Sequence, residues 1–284
     1  MNEKALLLGP SRELVGIMTE PEGVEANDRP AVILLNAGLI HRVGPNRLYV
    51  HLARLLAGDG LRCLRLDFSG IGDSRSRNEP FLRAAMADTR YAMDYLESAR
   101  GVRRFALAGI CSGADIALQV GREDARVEGL ILIEGFGLLA EGSLRYLFET
   151  NRDRMLRPRS WLRFLTGRSD VWRDLQAAAT ATKELPSDQP GSTFTSPGPV
   201  LDDLRVVGDR GARLLFLYAG DGPAWFAHRV LLGKQMGLLE RAGRVHSRHF
   251  DKTDHVFSPL WAQEALLREI RGFLSSAENR AAQL

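Results

Sequence analysis

Apolar residues in this chain come in short continuous runs, and between the runs they fall at helical spacing. Ala31–Asn36 reads Ala-Val-Ile-Leu-Leu-Asn, and Leu61–Leu66, Val127–Ile133, Arg213–Ala219 and Val245–Phe250 are further strand-like runs. Short apolar runs bounded by turn-forming residues are what strands buried on both faces look like. Pro45–Ala57 places Leu48, Leu52, Leu55 and Leu56 on one helical face, and Phe81–Ala99 does the same with Met86, Met93 and Leu96. Pro223–Glu240 and Pro259–Leu274 read as helices with proline in the first turn. Lys4–Leu8 and Glu13–Thr19 form a leading antiparallel pair joined at Gly9-Pro10. The alternation predicts an α/β protein: a mostly parallel central sheet flanked by helices on both faces. In such sheets sites form beyond the carboxyl ends of the strands.

One segment breaks the rhythm. Gly135–Gly211 holds no strand pattern; its first part is helical and rich in arginine and aromatic residues, and Pro186–Pro199 is a run of turn formers. The division this predicts is a core of residues 1–134 and 211–284 with a helical lid inserted over 135–210. At 284 residues and 45% hydrophobic, the chain can bury a full core.

Composition then narrows the function classes. No stretch of eighteen or more apolar residues is present, which argues against a membrane span, and Met1–Pro10 does not resemble a signal peptide. Two cysteines, Cys63 and Cys111, are too few for a secreted disulfide scaffold of this length. A reduced, cytoplasmic protein with a working thiol is the simpler expectation. The net charge is +3 and the basic side is almost all arginine, yet no nucleic-acid motif accompanies it. Asp67 and Asp73 have no histidine or carboxylate cluster at ligand spacing, so they read as loop braces, and neither a metal nor a cofactor is implied.

The chemistry concentrates in Gly109-Ile110-Cys111-Ser112-Gly113, preceded by the strand-like Val102–Ala108 and followed by the helix-forming Ala114–Val120. Strand, sharp turn and helix around a G-x-nucleophile-x-G pattern form a nucleophile elbow, here with cysteine at its centre. The glycines let strand and helix approach without side-chain collision. Cys63 lies inside a strand and reads as core. Ser112 is out of frame for the nucleophile, but its backbone N–H is a candidate oxyanion donor.

With those residues the chain resembles the α/β-hydrolase superfamily over nearly its whole length. Asp67-Phe68-Ser69-Gly70-Ile71-Gly72-Asp73-Ser74 is similar to its D-x-x-G-x-G-x-S turn, Asn36-Ala37-Gly38 stands where members often carry His-Gly, and Asp254-His255-Val256-Phe257 resembles the segment bearing the catalytic histidine. Asn36-Ala37-Gly38 followed by His41–Arg47 looks like the hydrolases associated with bacterial exosortase systems. The resemblance implies Cys111 as nucleophile, His255 as base and Asp221, in Gly220-Asp221-Gly222 after a strand, as the orienting acid; Glu134, ending another strand, is the alternative acid. His246, His249 and His228 lack the context of His255. The oxyanion donors would be Ser112 together with Gly38 or Leu39. Asn36 and His41, and Trp161 and Trp172 in the lid, would line the substrate site.

The chemistry implied is acyl transfer through an S-acyl-cysteine, and a small-molecule ester or thioester is the substrate class. Superfamily members with cysteine at the elbow include dienelactone hydrolases and polyester synthases, so both hydrolysis and acyl transfer or cyclisation onto an amine, alcohol or thiol fit. The arginines from Arg145 to Arg173 read either as a solvated helical face or as a dock for an acidic acyl carrier protein. A non-catalytic binding protein on the same fold is the remaining alternative.

Overall fold

The computed structural model describes residues 1–23, 29–137 and 197–281. Eight strands form one sheet in the order β1-β2-β4-β3-β5-β6-β7-β8. They are β1 (Asn2–Leu8), β2 (Leu14–Glu20), β3 (Ala31–Leu35), β4 (Cys63–Leu66), β5 (Phe105–Ile110), β6 (Val127–Ile133), β7 (Arg213–Ala219) and β8 (Val245–Phe250). The first two pair antiparallel to each other and β2 runs antiparallel to β4, while every pairing from β4 to β8 is parallel. The α-helices among the described residues are α1 (Leu48–Gly58), α2 (Phe81–Arg100), α3 (Ser112–Glu123), α4 (Pro197–Asp209), α5 (Pro223–Phe226), α6 (Gly233–Arg241) and α7 (Leu260–Ala281).

The period of two along each strand divides the core. In β7, Leu214, Phe216 and Tyr218 face one way, and Leu215, Leu217 and Ala219 the other. The first set belongs to the same core cluster as Met93 and Leu96 of α2, Ile116 and Val120 of α3 and Met236 of α6. The second belongs to the cluster on the other face, with Leu48, Leu52 and Leu56 of α1 and Leu266, Ile270 and Leu274 of α7. Every residue of β3 and β5 is buried, as continuous apolar runs require when both faces are covered.

Two segments depart from the sequence reading. The span Pro223–Glu240 is not one helix: α5 passes into a π-helical turn at Ala227–Leu232 before α6 begins. Around that turn Trp225 lies flat on His249, with centroids 4.1 Å apart and an interplanar angle of 6°, and also stacks on His228 at 5.2 Å and 12°. The other segment is α4. The sequence placed it in the insertion, but its Val200, Leu204 and Val207 are fully buried in the core cluster beside α3. Residues 138–196, with Trp161, Trp172 and the arginines from Arg145 to Arg173, lie outside the described residues.

The elbow is held from below by Tyr49 of α1. Its buried hydroxyl donates to the Leu35 carbonyl at 2.8 Å and accepts from the Ile110 N–H at 3.1 Å, joining the carboxyl ends of β3 and β5. Burial pushes the phenol well above its ordinary range, so it stays a neutral donor and acceptor. Tyr49→Phe leaves a buried carbonyl and a buried N–H without this partner, and the expected loss is about 1–3 kcal/mol in urea denaturation. An unchanged midpoint would show that the hydroxyl does not hold the two strand ends.

Candidate active site

Three loops at the carboxyl ends of the parallel strands build the site. The elbow comes first. The Cys111 N–H donates to the Ile133 carbonyl at 2.9 Å, extending the β5–β6 ladder by one residue. The chain then turns sharply into α3, with Cys111 at φ 56°, ψ −123°. A non-glycine residue there is strained by about 1–3 kcal/mol and is held by its surroundings. Those surroundings are tight. A Cβ on Gly109 would lie 2.2 Å from the Gly113 carbonyl carbon, and one on Gly113 would lie 2.5 Å from the Asn36 carbonyl oxygen. Both glycines of the motif are therefore required by backbone crowding.

Glu134 stands one strand over. Its N–H donates to the Leu217 carbonyl at 2.9 Å, so it extends the β6–β7 ladder as Cys111 extends the neighbouring one. It is 2% exposed. One carboxylate oxygen accepts the Ala219 N–H at 2.6 Å, and the other lies 2.8 Å from His255 Nδ1.

The third loop follows β8. Asp254 Oδ1 accepts the N–H groups of Val256 at 3.2 Å and Ser258 at 2.9 Å, closing a turn, and these bonds hold the Asp254 carboxyl below its usual range. Phe257 is fully buried against Phe250, with ring centroids 5.5 Å apart, an anchor worth roughly 1.5–3 kcal/mol. The turn points Asp254 and Phe257 away and leaves His255, with a side chain 48% exposed, between Glu134 and Cys111. The imidazole is raised from 6.5 to about 10, first by its hydrogen bond to Cys111 and next by that to Glu134, with burial opposing both. Because the folded value lies above the unfolded one, this charge stabilises the fold fully below pH 6.5 and is lost as pH rises through about 10.

The sequence assigned the orienting acid to Asp221, and here the structure differs. Asp221 is exposed in the turn after β7, while Glu134, the alternative, holds the one nitrogen an orienting acid would use. The end of β7 serves Glu134 instead, through the Ala219 N–H. The substrate-facing role expected of Asn36 is also not what its contacts show. It is 1% exposed; its amide donates to the Ile40 carbonyl at 2.9 Å and to Asp67 at 3.3 Å, and its oxygen accepts the Phe68 N–H at 2.7 Å. It braces two loops. His41 and Leu39 are exposed on the loop after β3, and the Gly38 N–H donates to Ser112 Oγ at 3.0 Å.

Three supports escaped the sequence reading: Tyr49, Arg42 and Asp115. Arg42 bonds both Asp67 and Asp73, tying the loop after β3 to the turn after β4 and giving these aspartates the bracing role expected of them. Asp115, buried in the first turn of α3, accepts the Phe136 N–H at 2.9 Å and so holds the chain just beyond Glu134. None sits in a motif that announces contact across the fold. Among the described residues no group of three His, Cys, Asp or Glu side chains is arranged to hold a metal, and no helix is long and apolar enough to cross a membrane.

Sheet order, elbow and histidine loop together define the α/β-hydrolase fold. Solved structures share it across almost the whole chain. Proline iminopeptidase from Mycobacterium smegmatis is similar at TM-score 0.58 and 15% identity, covering 99% of this chain and 100% of its own. The Pyrococcus furiosus esterase PF2001 is similar at TM-score 0.58 and 15% identity, with 97% and 91% covered. ATU1826 from Agrobacterium tumefaciens, a protein of unknown function placed with the α/β hydrolases, is similar at TM-score 0.56 and 16% identity, with 98% and 97% covered. No family model matches the chain, and no curated protein does. At such identities the likeness is one of fold.

The two acids are separable by titration. In Glu134→Gln the His255 midpoint, followed by NMR of the ring Cε1–H, is expected to fall from about 10 toward 6.5, whereas Asp221→Asn leaves it near the native value. The reverse pattern would show that His255 is governed by Asp221 and not by Glu134.

Proposed function

We propose that the protein is an α/β-fold hydrolase acting on ester or thioester bonds through an S-acyl-Cys111 intermediate, with His255 as base and Glu134 as orienting carboxylate. The observation that carries this reading is the 2.8 Å contact of His255 Nδ1 with the buried Glu134 carboxylate, with Cys111 at the neighbouring strand end acting on the same imidazole. A nucleophile on a strained turn, a base touching it and a buried acid behind the base are the parts acyl transfer requires.

Glu134 occupies Nδ1, so Nε2 serves the sulfur. His255 already holds the proton drawn from Cys111 when the sulfur bonds the carbonyl carbon, and the carbonyl pair moves onto oxygen. Collapse expels an alcohol or thiol, which leaves with the proton from His255. Water then gives a proton to His255 and attacks the thioester. Collapse releases the carboxylic acid and Cys111 regains its proton. The Ser112 N–H, in the first turn of α3, has no partner within the helix and lies beside the attacking sulfur, where the helix dipole favours negative charge. Acyl transfer to an amine, alcohol or thiol uses the same first half and differs only in the second nucleophile.

Brief exposure to a panel of acyl thioesters and activated esters, followed by intact-protein mass spectrometry, tests the reading. One acyl mass is expected on the native protein and none on Cys111→Ala. Turnover of Cys111→Ala or His255→Ala should fall on the order of 10³-fold or more, and that of Glu134→Gln by about 10²–10⁴-fold. Full turnover by Cys111→Ala would sink the proposal. Chasing the acylated protein with water against amines or alcohols separates hydrolysis from transfer.

A further inference from the structure

The Ser112 side chain has a role its backbone does not explain. The residue is 1% exposed. Its hydroxyl accepts the Gly38 N–H at 3.0 Å, and its own proton has no acceptor among the described residues. A buried hydroxyl that accepts but does not donate is unusual, because leaving a donor unmade in a dry site costs about 1–3 kcal/mol. The position matters as much as the deficit. Ser112 directly follows Cys111, and Gly38 belongs to the loop after β3, the strand next to β5. Of the two loop N–H groups expected as oxyanion donors, Gly38 and Leu39, that of Gly38 is thus spent on this hydroxyl.

We propose that the Ser112 hydroxyl is itself an oxyanion donor, polarised by the Gly38 N–H and acting beside the Ser112 backbone N–H. This rests on the reading of Cys111 as the nucleophile. As the sulfur–carbon bond forms and the carbonyl pair moves onto oxygen, Ser112 Oγ–H donates to that oxygen and keeps its proton. Accepting a hydrogen bond strengthens the one a hydroxyl gives, and a site shielded from water makes each donor count for more. The relay Gly38 N–H to Ser112 Oγ–H to oxyanion also explains how Gly38, its N–H committed, still contributes to the site.

The test compares two reactions of the same sulfur. Acylation by an activated ester passes through an oxyanion, while alkylation by iodoacetamide does not. In Ser112→Ala the acylation rate, followed by intact-protein mass, is expected to fall about 10²-fold, with the loss in kcat rather than KM, while the rate of Cys111 alkylation stays within about twofold of native. Acylation of Ser112→Ala at the native rate would overturn the proposal. So would an equal fall in both reactions, which would assign the hydroxyl to structure alone. If the native protein accepts no acyl group from the panel, the parent reading of Cys111 fails first, and that outcome is distinct from either.

Discussion

The site depends on how closely the start of α3 approaches the strands beneath it. Gly113 lies against the Asn36 carbonyl and Gly109 against Gly113, with no room for a methyl group at either place. That approach forces the turn at Cys111 into a conformation side chains rarely adopt. It also fixes what surrounds the turn. The Asn36 carbonyl meets α3 because Asn36 itself is tied to Ile40, Asp67 and Phe68, and the loop it anchors delivers the Gly38 N–H to Ser112. Tyr49 then joins the two strand ends from the opposite face. The strain at one residue is shared among contacts from β3, α1 and α3.

The parallel ladders do the rest of the positioning. Cys111 and Glu134 are each one residue past adjacent strands and each bonds back to the next strand, so their separation is set by sheet geometry rather than by loop conformation. Only His255 arrives on a loop, and its freedom is removed by the Asp254 turn on one side and the buried Phe257 on the other. The turn after β7 lies packed beneath this loop. The Gly220 N–H bonds the Phe250 carbonyl at 2.8 Å, and the Gly220 carbonyl lies 2.7 Å from His249 Nε2.

The strands were legible because burial on both faces writes an uninterrupted apolar run, and the elbow because backbone crowding admits only glycine at two fixed spacings. The choice of acid was not. Gly220-Asp221-Gly222 and the Glu134 position both place a carboxylate just past a strand, and the deciding fact is which of the two side chains reaches His255 Nδ1. Strand order alone points the other way, because β7, with Asp221 just past its end, lies next to β8 and separates it from β6. Asn36 misled for a related reason. A polar residue at a strand end beside a site looks substrate-facing until its partners 31 and 32 residues away are known. The helix reading over Pro223–Glu240 carried the right period but no sign of the π turn, which accompanies the stacking of Trp225 between His228 and His249.

In the proposed reaction, the order of causes behind the raised His255 value bears on how one imidazole could serve both halves of an acyl transfer. Its largest support is the hydrogen bond to Cys111, with Glu134 second. In the free protein both are present, and the ring holds a proton readily beside the sulfur. Once the sulfur carries an acyl group, the first support is gone and the Glu134 bond remains to keep the ring oriented. A ring that has given its proton to the leaving group is then less inclined to regain one from solvent, and stands neutral when the second nucleophile must lose its own. Under that proposal, cysteine at the elbow would couple the protonation state of the base to the covalent state of the nucleophile. Glu134, pinned by Ala219 and almost wholly buried, is the part of the arrangement that stays constant throughout.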